Sequence, residues 1–260
     1  MHVSRIGFTP VKGGRHREYG YVDLAHAGPV GDRVFCLVDV ARARVLRTVE
    51  NPTLLRTAAA WDSGTLTTNL PGERVTGVPV PTGEVLEVDY WGRTAAVEVV
   101  TGPWAAAYSR HLGRDVVLAR STKPGEVVYG ASVSLVTTGA LAELARRHGT
   151  PVQDAAFRAT FTVTTDGDSE DARAMADMTD GRPSRRRFQV GTAEIEVRAA
   201  VPRCAIVDLD PRTGERAAGV LQALARYRRG RDAVTFGVDA VVSKPGRVHV
   251  GDAVRGVERG

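Results

Sequence analysis

The feature that most constrains this chain is a series of short apolar runs, rich in β-branched residues and separated by turns that contain glycine or proline. Three of the clearest runs are HVSRIGFTPV, RVFCLVDV and EVLEVDYWGRTAAVEVV, the last of which has the pattern of a hairpin with Gly92 in its turn. Short strands joined in this way are typical of antiparallel barrels and sandwiches. We therefore predict a mostly β fold with a few helices.

Two segments have helical spacing instead. After the tripeptide TGP, large apolar side chains recur every four residues at Trp104, Tyr108 and Leu112. The second segment runs from Thr138, which we predict as its N-cap, to Gly149, which we predict as the residue that ends it. Both segments are therefore predicted to be amphipathic helices within the β framework.

The second half of the chain contains a further set of predicted strands, among them AAFRATFTVTT, CAIVDLD and AVTFGVDAVVS. Residues 166–187 form a long stretch that is polar and charged, so we predict a mobile loop there. The segment AGVLQALARYRR has the pattern of a short amphipathic helix with a basic last turn. The second half is therefore predicted to be as rich in β structure as the first.

The chain has 260 residues and a formal net charge of +5, which admits anionic small molecules as partners. Its arginines are scattered without an aromatic-rich basic patch, so nucleic acid is not an expected partner. The N-terminus lacks the apolar region of a secretory signal, and no run approaches the roughly 18 apolar residues needed to span a bilayer. We therefore expect a cytoplasmic protein with a small-molecule substrate and no membrane partner.

Cys36 and Cys204 are the two cysteines of the sequence, and their number and spacing predict neither a disulfide framework nor a zinc site. Cys36 lies in a continuous apolar run, which predicts a buried structural role. Cys204 follows Arg203 in VPRCAIVDLDPRTGER, and the residues alone leave open a buried hydrophobe, a nucleophile, a sulfur carrier or a metal ligand. If Cys204 is a nucleophile, a sulfur carrier or a metal ligand, the positive charge of Arg203 would favour its thiolate form.

Two carboxylates follow Cys204 in the same stretch. Strand alternation would place Asp208 and Asp210 on one face, where such a pair could act as general acid and base. However, DPRTG is a turn signature, which favours Asp210 as a cap of the turn ahead of Pro211. For Asp210 we therefore favour the structural role.

Four motifs in the second half occur in a specific order and spacing, namely PRCAIVDLDPRTGER, LQALARYRR, FGVDAVV and PGRVHVGDAV. Together they resemble the MOSC domain, the C-terminal domain of molybdenum cofactor sulfurases. Earlier in the chain, TPVKGG, GPVGDRVFCLVD and NPTLLR resemble the β-rich N-terminal domain that partners it. The resemblance implies an N-terminal β-rich domain at residues 1–90, a bridging hairpin and helix at 91–125, and a barrel-like MOSC domain at 126–260.

In relatives such as the mitochondrial amidoxime reducing component, a molybdopterin cofactor lies between the two β-rich parts, and the cysteine of the RC motif binds its molybdenum. The resemblance thus implies the molybdenum cofactor in this chain, with Cys204 as metal ligand and, together with Arg203, as catalytic residue. Lys12 and Arg33 match the basic residues that hold the pterin phosphate. Arg158, which its sequence places inside an apolar strand, matches an arginine that faces the cofactor.

Several positions of the implied site depart from the family pattern. Gly13 replaces a serine, Thr160 replaces an asparagine, and Asp239 stands where asparagine or tyrosine is more familiar. Gly130 and Pro202 likewise replace polar residues. Because exposed backbone N–H groups also bind phosphates, Gly13, Thr160 and Asp239 remain expected cofactor contacts.

The first functional hypothesis that the resemblance implies is a molybdenum-dependent oxidoreductase that reduces N-hydroxylated or N-oxide substrates. The sequence shows no aminotransferase-like domain for pyridoxal phosphate and no cysteine-rich segment for an iron–sulfur cluster, so the electrons would come from a separate donor protein. A second hypothesis is a metal-independent sulfur carrier or specialised biosynthetic enzyme that depends on Cys204. A third is a non-catalytic molybdopterin-binding module.

Overall fold

The computed structural model describes residues 1–165, 170–179, 185–217, 219–228 and 233–257. Strands dominate its regular structure, which confirms the predicted mostly β fold. The strands are β1 (His2–Phe8), β2 (Arg17–Tyr19), β3 (Tyr21–Ala25), β4 (Gly28–Pro29), β5 (Phe35–Asp39), β6 (Arg44–Val45), β7 (Ala58–Asp62), β8 (Thr65–Leu70), β9 (Glu73–Gly77), β10 (Val80–Tyr90), β11 (Arg93–Thr101), β12 (Val117–Ser121), β13 (Val133–Thr137), β14 (Phe161–Thr164), β15 (Arg187–Val190), β16 (Ala193–Pro202), β17 (Thr235–Lys244), β18 (Gly246–His249) and β19 (Val254–Val257). The α-helices are α1 (Trp104–Leu112), α2 (Thr138–His148), α3 (Glu170–Thr179) and α4 (Val220–Ala225), and the 3-10 helices are Pro52–Arg56, Asp154–Phe157 and Ala205–Asp208.

The largest sheet has eight strands in the order β19-β15-β16-β17-β13-β14-β1-β2. Its inner face buries a continuous apolar core that includes Ile6, Leu135, Phe161, Phe188 and Val238. The N-terminal strand β1 runs antiparallel to β14, so the start of the chain is part of a sheet built mainly from the second half. The predicted division at residues 90 and 125 stays a prediction.

A closed barrel forms the second main unit, with the strands β10, β11, β12, β5 and β6. The predicted hairpin is confirmed, because β10 pairs antiparallel with β11 and Tyr90 lies opposite Arg93 across the turn. Cys36 on β5 is fully buried in the barrel core, as its apolar surroundings predict.

The three predicted helices are present as α1, α2 and α4, although α4 ends at Ala225, before the basic residues that were predicted for its last turn. Gly113 and Gly149 end α1 and α2 in the left-handed conformation, which glycine adopts without the penalty of a Cβ atom. The N-cap of α2 is Thr137 and not Thr138, since the Thr137 side chain accepts a hydrogen bond from the backbone N–H of Ala140 at 3.2 Å. The cap thus lies one residue earlier than predicted, where β13 ends.

The prediction of a loop over residues 166–187 is wrong for Glu170–Thr179, which form the helix α3. This helix buries Ala172, Met175 and Met178, which recur at a spacing of three residues, and the two methionines join the core of the large sheet. The charged residues before and between them conceal this apolar stripe in the sequence. Residues 166–169 and 180–184 of the predicted loop lie outside the described residues.

The predicted strand CAIVDLD is also wrong, because β16 ends at Pro202 and Ala205–Asp208 form a 3-10 helix. Asp208 and Asp210 therefore do not share a strand face. The Asp208 carboxylate accepts a hydrogen bond from the N–H of Leu221 at the start of α4 at 2.8 Å. Asp210 accepts from the N–H groups of Arg212 and Thr213, both at 2.8 Å, so its predicted turn-capping role is confirmed.

Candidate functional site

A cleft of about 470 Å³ lies where the barrel meets the large sheet. One wall comes from the first part of the chain and carries Lys12, Arg33, Arg47 and Trp91, and the other comes from the second part and carries Ser134, Arg158, Thr160, Arg203, Cys204 and Asp239. The structure therefore brings together all the predicted site residues except Gly13, which does not line the cleft. Residues that are more than 190 positions apart in the sequence meet there.

Lys12 lies in the loop that follows β1. Its backbone N–H donates to the carbonyl of Phe35 at 2.8 Å, which fixes the loop against the barrel strand β5. The ammonium nitrogen lies 4.9 Å from the centre of the Tyr90 ring. Burial, together with the nearby charges of Arg33 and Arg158, lowers the pKa of Lys12 to about 7. A negative charge beside Lys12 would relieve that repulsion.

Arg33 adopts a left-handed conformation with a φ of 48°, which is uncommon for a residue with a side chain. Its guanidinium lies 3.3 Å from the carboxylate of Asp32. That carboxylate also accepts a hydrogen bond from the N–H of Thr9 at 3.2 Å, and the N–H of Arg33 donates to the Thr9 carbonyl at 2.8 Å. Both residues of the ion pair are thus fixed by the loop after β1. Arg33 is therefore held in place at the cleft, although its conformation is strained.

Arg158 does not lie inside a strand, and this expectation is wrong. It follows the 3-10 helix Asp154–Phe157 in the left-handed conformation, with a φ of 52°, and β14 begins only at Phe161. The apolar letters around it indicate a strand, but the left-handed residue turns the chain first. Its Nη2 donates to the carbonyl of Gly14 at 2.8 Å, and burial, with the charge of Arg33 as the next cause, lowers its pKa to about 9.

Arg203 is fixed by backbone carbonyls rather than by a carboxylate. Its Nε donates to Phe236 and its Nη1 to Phe157, both at 2.8 Å. In the described part of the chain, the buried Nη2 has no hydrogen-bond partner. Burial lowers the pKa of Arg203 to about 10, and the charges of Cys204 and Asp239 act in the opposite direction. The guanidinium thus retains one unused donor.

Cys204 follows the end of β16 and precedes the 3-10 helix Ala205–Asp208. Its side chain is free and exposed, whereas Cys36 is buried. The buried-hydrophobe alternative for Cys204 is therefore wrong. Within the described ranges, no cluster of three or more His, Cys, Asp or Glu side chains could hold a metal ion.

Asp239 connects two parts of the cleft wall. One carboxylate oxygen accepts from the N–H of Ala131 and the other from the N–H of Ala199, each at 3.0 Å. Gly130 makes this approach feasible, since a Cβ atom there would lie 2.8 Å from the Asp239 carboxylate. The departures from the family pattern at 130 and 239 therefore fit one another, and direct contact of Asp239 with a cofactor stays a prediction.

Thr160 and Gly13 have structural partners of their own. The Thr160 hydroxyl accepts from the N–H of Ser134 at 3.2 Å, and the Thr160 N–H donates to the Ser134 hydroxyl at 3.3 Å. Gly13 has a φ of 94°, and a Cβ atom on it would lie 2.9 Å from the side chain of Leu54. Their predicted cofactor contacts are not tested by these interactions and stay predictions.

The aromatic rim of the cleft, formed by Trp91 and Tyr129 with Arg47, was missed from the sequence. Trp91 is 42% exposed and has a φ of 56° in the β10–β11 turn. The Arg47 guanidinium lies 4.4 Å from the centre of the Trp91 ring, and the centres of the Trp91 and Tyr129 rings are 5.6 Å apart. A tryptophan directly before Gly92 in a tight turn is the signal that could have identified this aromatic rim, because the left-handed turn position favours small polar residues.

A family model described as the MOSC domain matches residues 107–255, from within α1 to within β19. The match includes Arg158, Cys204 and Asp239, whereas Lys12 and Arg33 precede it. No curated protein matches the chain, and none of the helices in the described residues is long and apolar enough to cross a membrane.

Three solved structures are similar at low identity. The crystal structure of the YuaD protein from Bacillus subtilis covers 97% of this chain and 92% of its own, with 13% identity and a TM-score of 0.45. YiiM from Geobacillus stearothermophilus covers 50% of this chain and 56% of its own, with 20% identity and a TM-score of 0.34. The alignment with a Bordetella bronchiseptica protein, whose structure was solved in solution, covers 41% of this chain and 89% of that protein, with 18% identity and a TM-score of 0.30.

Proposed function

The chain belongs to the MOSC domain family, and we propose that it binds the molybdenum cofactor in the cleft and reduces N-hydroxylated or N-oxide substrates. The family is generally associated with binding of this cofactor. The observation that carries the proposal is the exposed thiol of Cys204 in the same cleft as the cations Lys12, Arg33 and Arg158. The resemblance assigns the thiol to the metal and Lys12 and Arg33 to the pterin phosphate, and it implies that Arg158 faces the cofactor.

The residues of the cleft fit an anionic cofactor. Among the described residues, Asp239 supplies the only carboxylate that lines the cleft. Both of its oxygens already accept backbone hydrogen bonds. The buried Nη2 of Arg203 lacks a partner among the described residues, which is costly unless a ligand accepts from it. An excess of positive charge and an unused donor are the features that a bound phosphate compensates.

Each side chain has a distinct part in this proposal. Lys12 would act as a point charge on the phosphate and Arg33 and Arg158 as planar donors. Because the pKa of Lys12 is about 7 without a ligand, an anion beside it would raise that pKa and keep the proton on Nζ. Cys204 would bind the metal through its sulfur, since thiolates are ligands for soft metals.

When bound, the cofactor would supply a metal centre that removes an oxygen atom from the substrate. The net reaction takes up two electrons and two protons, breaks the N–O bond and releases water. The electrons would come from a separate donor protein. Trp91 and Tyr129 at the rim of the cleft would contact the substrate and limit access of water.

The test is metal and pterin analysis of the full chain after expression in a host that makes the cofactor, followed by an assay of amidoxime reduction with a reduced dye as electron source. We expect molybdenum and pterin at close to one per chain, together with turnover. Pterin with no turnover under any donor would support the non-catalytic binding module instead. Absence of both molybdenum and pterin would contradict the proposal.

The exposure of Cys204 also favours a second candidate, a metal-independent sulfur carrier. In that reaction the thiolate takes a sulfane sulfur from a persulfide donor, which leaves as a thiolate, and later transfers it to an acceptor nucleophile. Intact-mass analysis after incubation with a persulfide donor tests it. A single-sulfur adduct on the wild type that is absent from Cys204→Ala would support the carrier, and an unmodified wild type would exclude it.

A further inference from the structure

A second cavity, of about 1100 Å³, shares Arg158 with the cleft. Most of its basic lining comes from RHR at residues 15–17 and from the turn DPRTG, two stretches that the proposed function does not use. We call it the arginine cavity, and its basic lining consists of Arg5, Arg15, His16, Arg17, Arg158 and Arg212. It therefore joins basic residues that lie far apart in the sequence.

The carboxylates of the arginine cavity leave most of this charge unbalanced. Glu18 and Asp154 both lie near Arg5, with carboxylate oxygens 3.2 Å and 3.8 Å from its Nε. Asp154 also accepts a hydrogen bond from the hydroxyl of Thr162 at 2.6 Å. In the described ranges, the other four arginines of the cavity have no carboxylate within 4.0 Å. The cavity therefore has a positive potential, which favours an anion.

Two buried groups add unused hydrogen-bonding capacity. Arg5 and His16 are each only 9% exposed. Among the described residues, the Nη1 of Arg5 and both ring nitrogens of His16 have no hydrogen-bond partner. Burial, followed by the charges of Arg158 and Arg33, keeps the pKa of His16 well below its ordinary value. Such groups are costly in a protein interior unless something binds to them.

Glycine and a capped turn hold two of the cavity arginines, Arg5 and Arg212, in place. Gly7 allows the Arg5 guanidinium to lie flat against β1, since a Cβ atom there would come within 2.7 Å of it. The Asp210 carboxylate caps the turn that carries Arg212, accepting from the N–H of Arg212 at 2.8 Å. Leu141, Val152 and Pro211 supply an apolar part of the lining. The cavity thus offers both a charged region and a surface for an organic group.

We propose that the arginine cavity is a second anion-binding site, separate from the cofactor cleft, and that it takes a small phosphorylated molecule. Phosphate oxygens match the planar donor arrangement of several guanidinium groups. The apolar lining would contact the organic part of the ligand. Because Arg158 lines both spaces, occupation of one site changes the charge felt at the other.

Isothermal titration of the full chain with pyrophosphate tests this proposal. Arg17 and Arg212 are exposed, so the double variant Arg17→Ala/Arg212→Ala removes two charges from the cavity without disturbing the core. The variant Arg33→Gln changes a residue that lines the cleft and not the arginine cavity. Arg74→Ala/Arg120→Ala removes two exposed charges that line neither space. We expect a binding event that weakens at least about tenfold in Arg17→Ala/Arg212→Ala and persists in both other variants.

The outcomes separate this site from the cofactor cleft. Loss of all pyrophosphate binding in Arg33→Gln would place the anion in the cleft and overturn the proposal. Equal weakening in Arg17→Ala/Arg212→Ala and Arg74→Ala/Arg120→Ala would show that binding depends only on the net positive charge of the protein. That result would also overturn the proposal. Wild-type protein with no binding at about 1 mM pyrophosphate, the weak end of specific affinities, would do the same.

Discussion

The barrel around Cys36 and the cleft around Cys204 place the same side chain in opposite environments. Cys36 is fully buried on β5, among valines and alanines of the barrel core. Cys204 is exposed at the end of β16, beside Arg203 and in a cleft rich in cations. The comparison shows that neighbouring charge and access, rather than residue type, decide which thiol is available for chemistry.

The electrostatics of the two regions differ in the same way. Burial raises the pKa of Cys36 to about 12, although the charge of Lys12 acts in the opposite direction. In the cleft, burial and mutual repulsion instead lower the pKa values of Lys12 and Arg158. The barrel therefore keeps the Cys36 thiol neutral, whereas the repulsion between the cations of the cleft favours binding of an anion there.

The largest expected difference between the two regions is in thiol reactivity. At pH 8 a thiol with a pKa of about 12 is ionised to roughly one part in ten thousand, and Cys36 is also inaccessible. We expect iodoacetamide to modify Cys204 at least about a thousandfold faster than Cys36 in the folded protein. Peptide mass analysis of timed samples measures both rates, and denatured protein is the control in which both cysteines react. Comparable rates in the folded state would contradict the comparison.

The next effect concerns stability. Cys36→Ser places a hydroxyl in the apolar barrel core, and we expect it to lower the free energy of unfolding by about 1–3 kcal/mol. Cys204→Ser changes an exposed side chain, so we expect a change within about 0.5 kcal/mol. Urea unfolding of the two variants measures this contrast. Equal losses in both would show that Cys204 contributes to the core.

A smaller effect should follow from Lys12. Because its pKa is lowered from 10.5 to about 7, the unfolded chain binds more protons there between these values, and the free energy of unfolding of ligand-free protein should rise with pH across that window. Lys12→Met should abolish this slope and stabilise the ligand-free protein at pH 7 by about 1 kcal/mol, after allowance for solvent screening. Urea unfolding at pH 7, 8 and 9 measures it. A wild type and variant with parallel pH profiles would contradict the expectation.

The sequence was sufficient to predict the parts of this comparison that depend on local patterns. The continuous apolar character of RVFCLVDV predicts the buried position of Cys36, and DPRTG predicts the turn capped by Asp210. The motif order predicts the family, and with it a site that joins Lys12 and Arg33 to Cys204.

Features that depend on tertiary contacts could not be predicted in this way. Arg158 resides in a left-handed turn although apolar residues surround it in the sequence, and its carbonyl partner Gly14 lies far away along the chain. The clamp from Asp239 to Ala131 and Ala199 joins three segments that no local pattern connects. The helix α3 is concealed by its acidic residues, since only packing against the large sheet shows which face is apolar.

The molybdenum content of two matched cysteine variants tests the central claim most directly. Cys204→Ser and Cys36→Ala should be purified beside wild type from the same cofactor-producing host and analysed for metal by mass spectrometry. We predict wild-type molybdenum in Cys36→Ala and a loss of at least about tenfold in Cys204→Ser, since a hydroxyl is a much poorer ligand for a soft metal site than a thiolate. Equal molybdenum in both variants would contradict the assignment of Cys204 as the metal ligand.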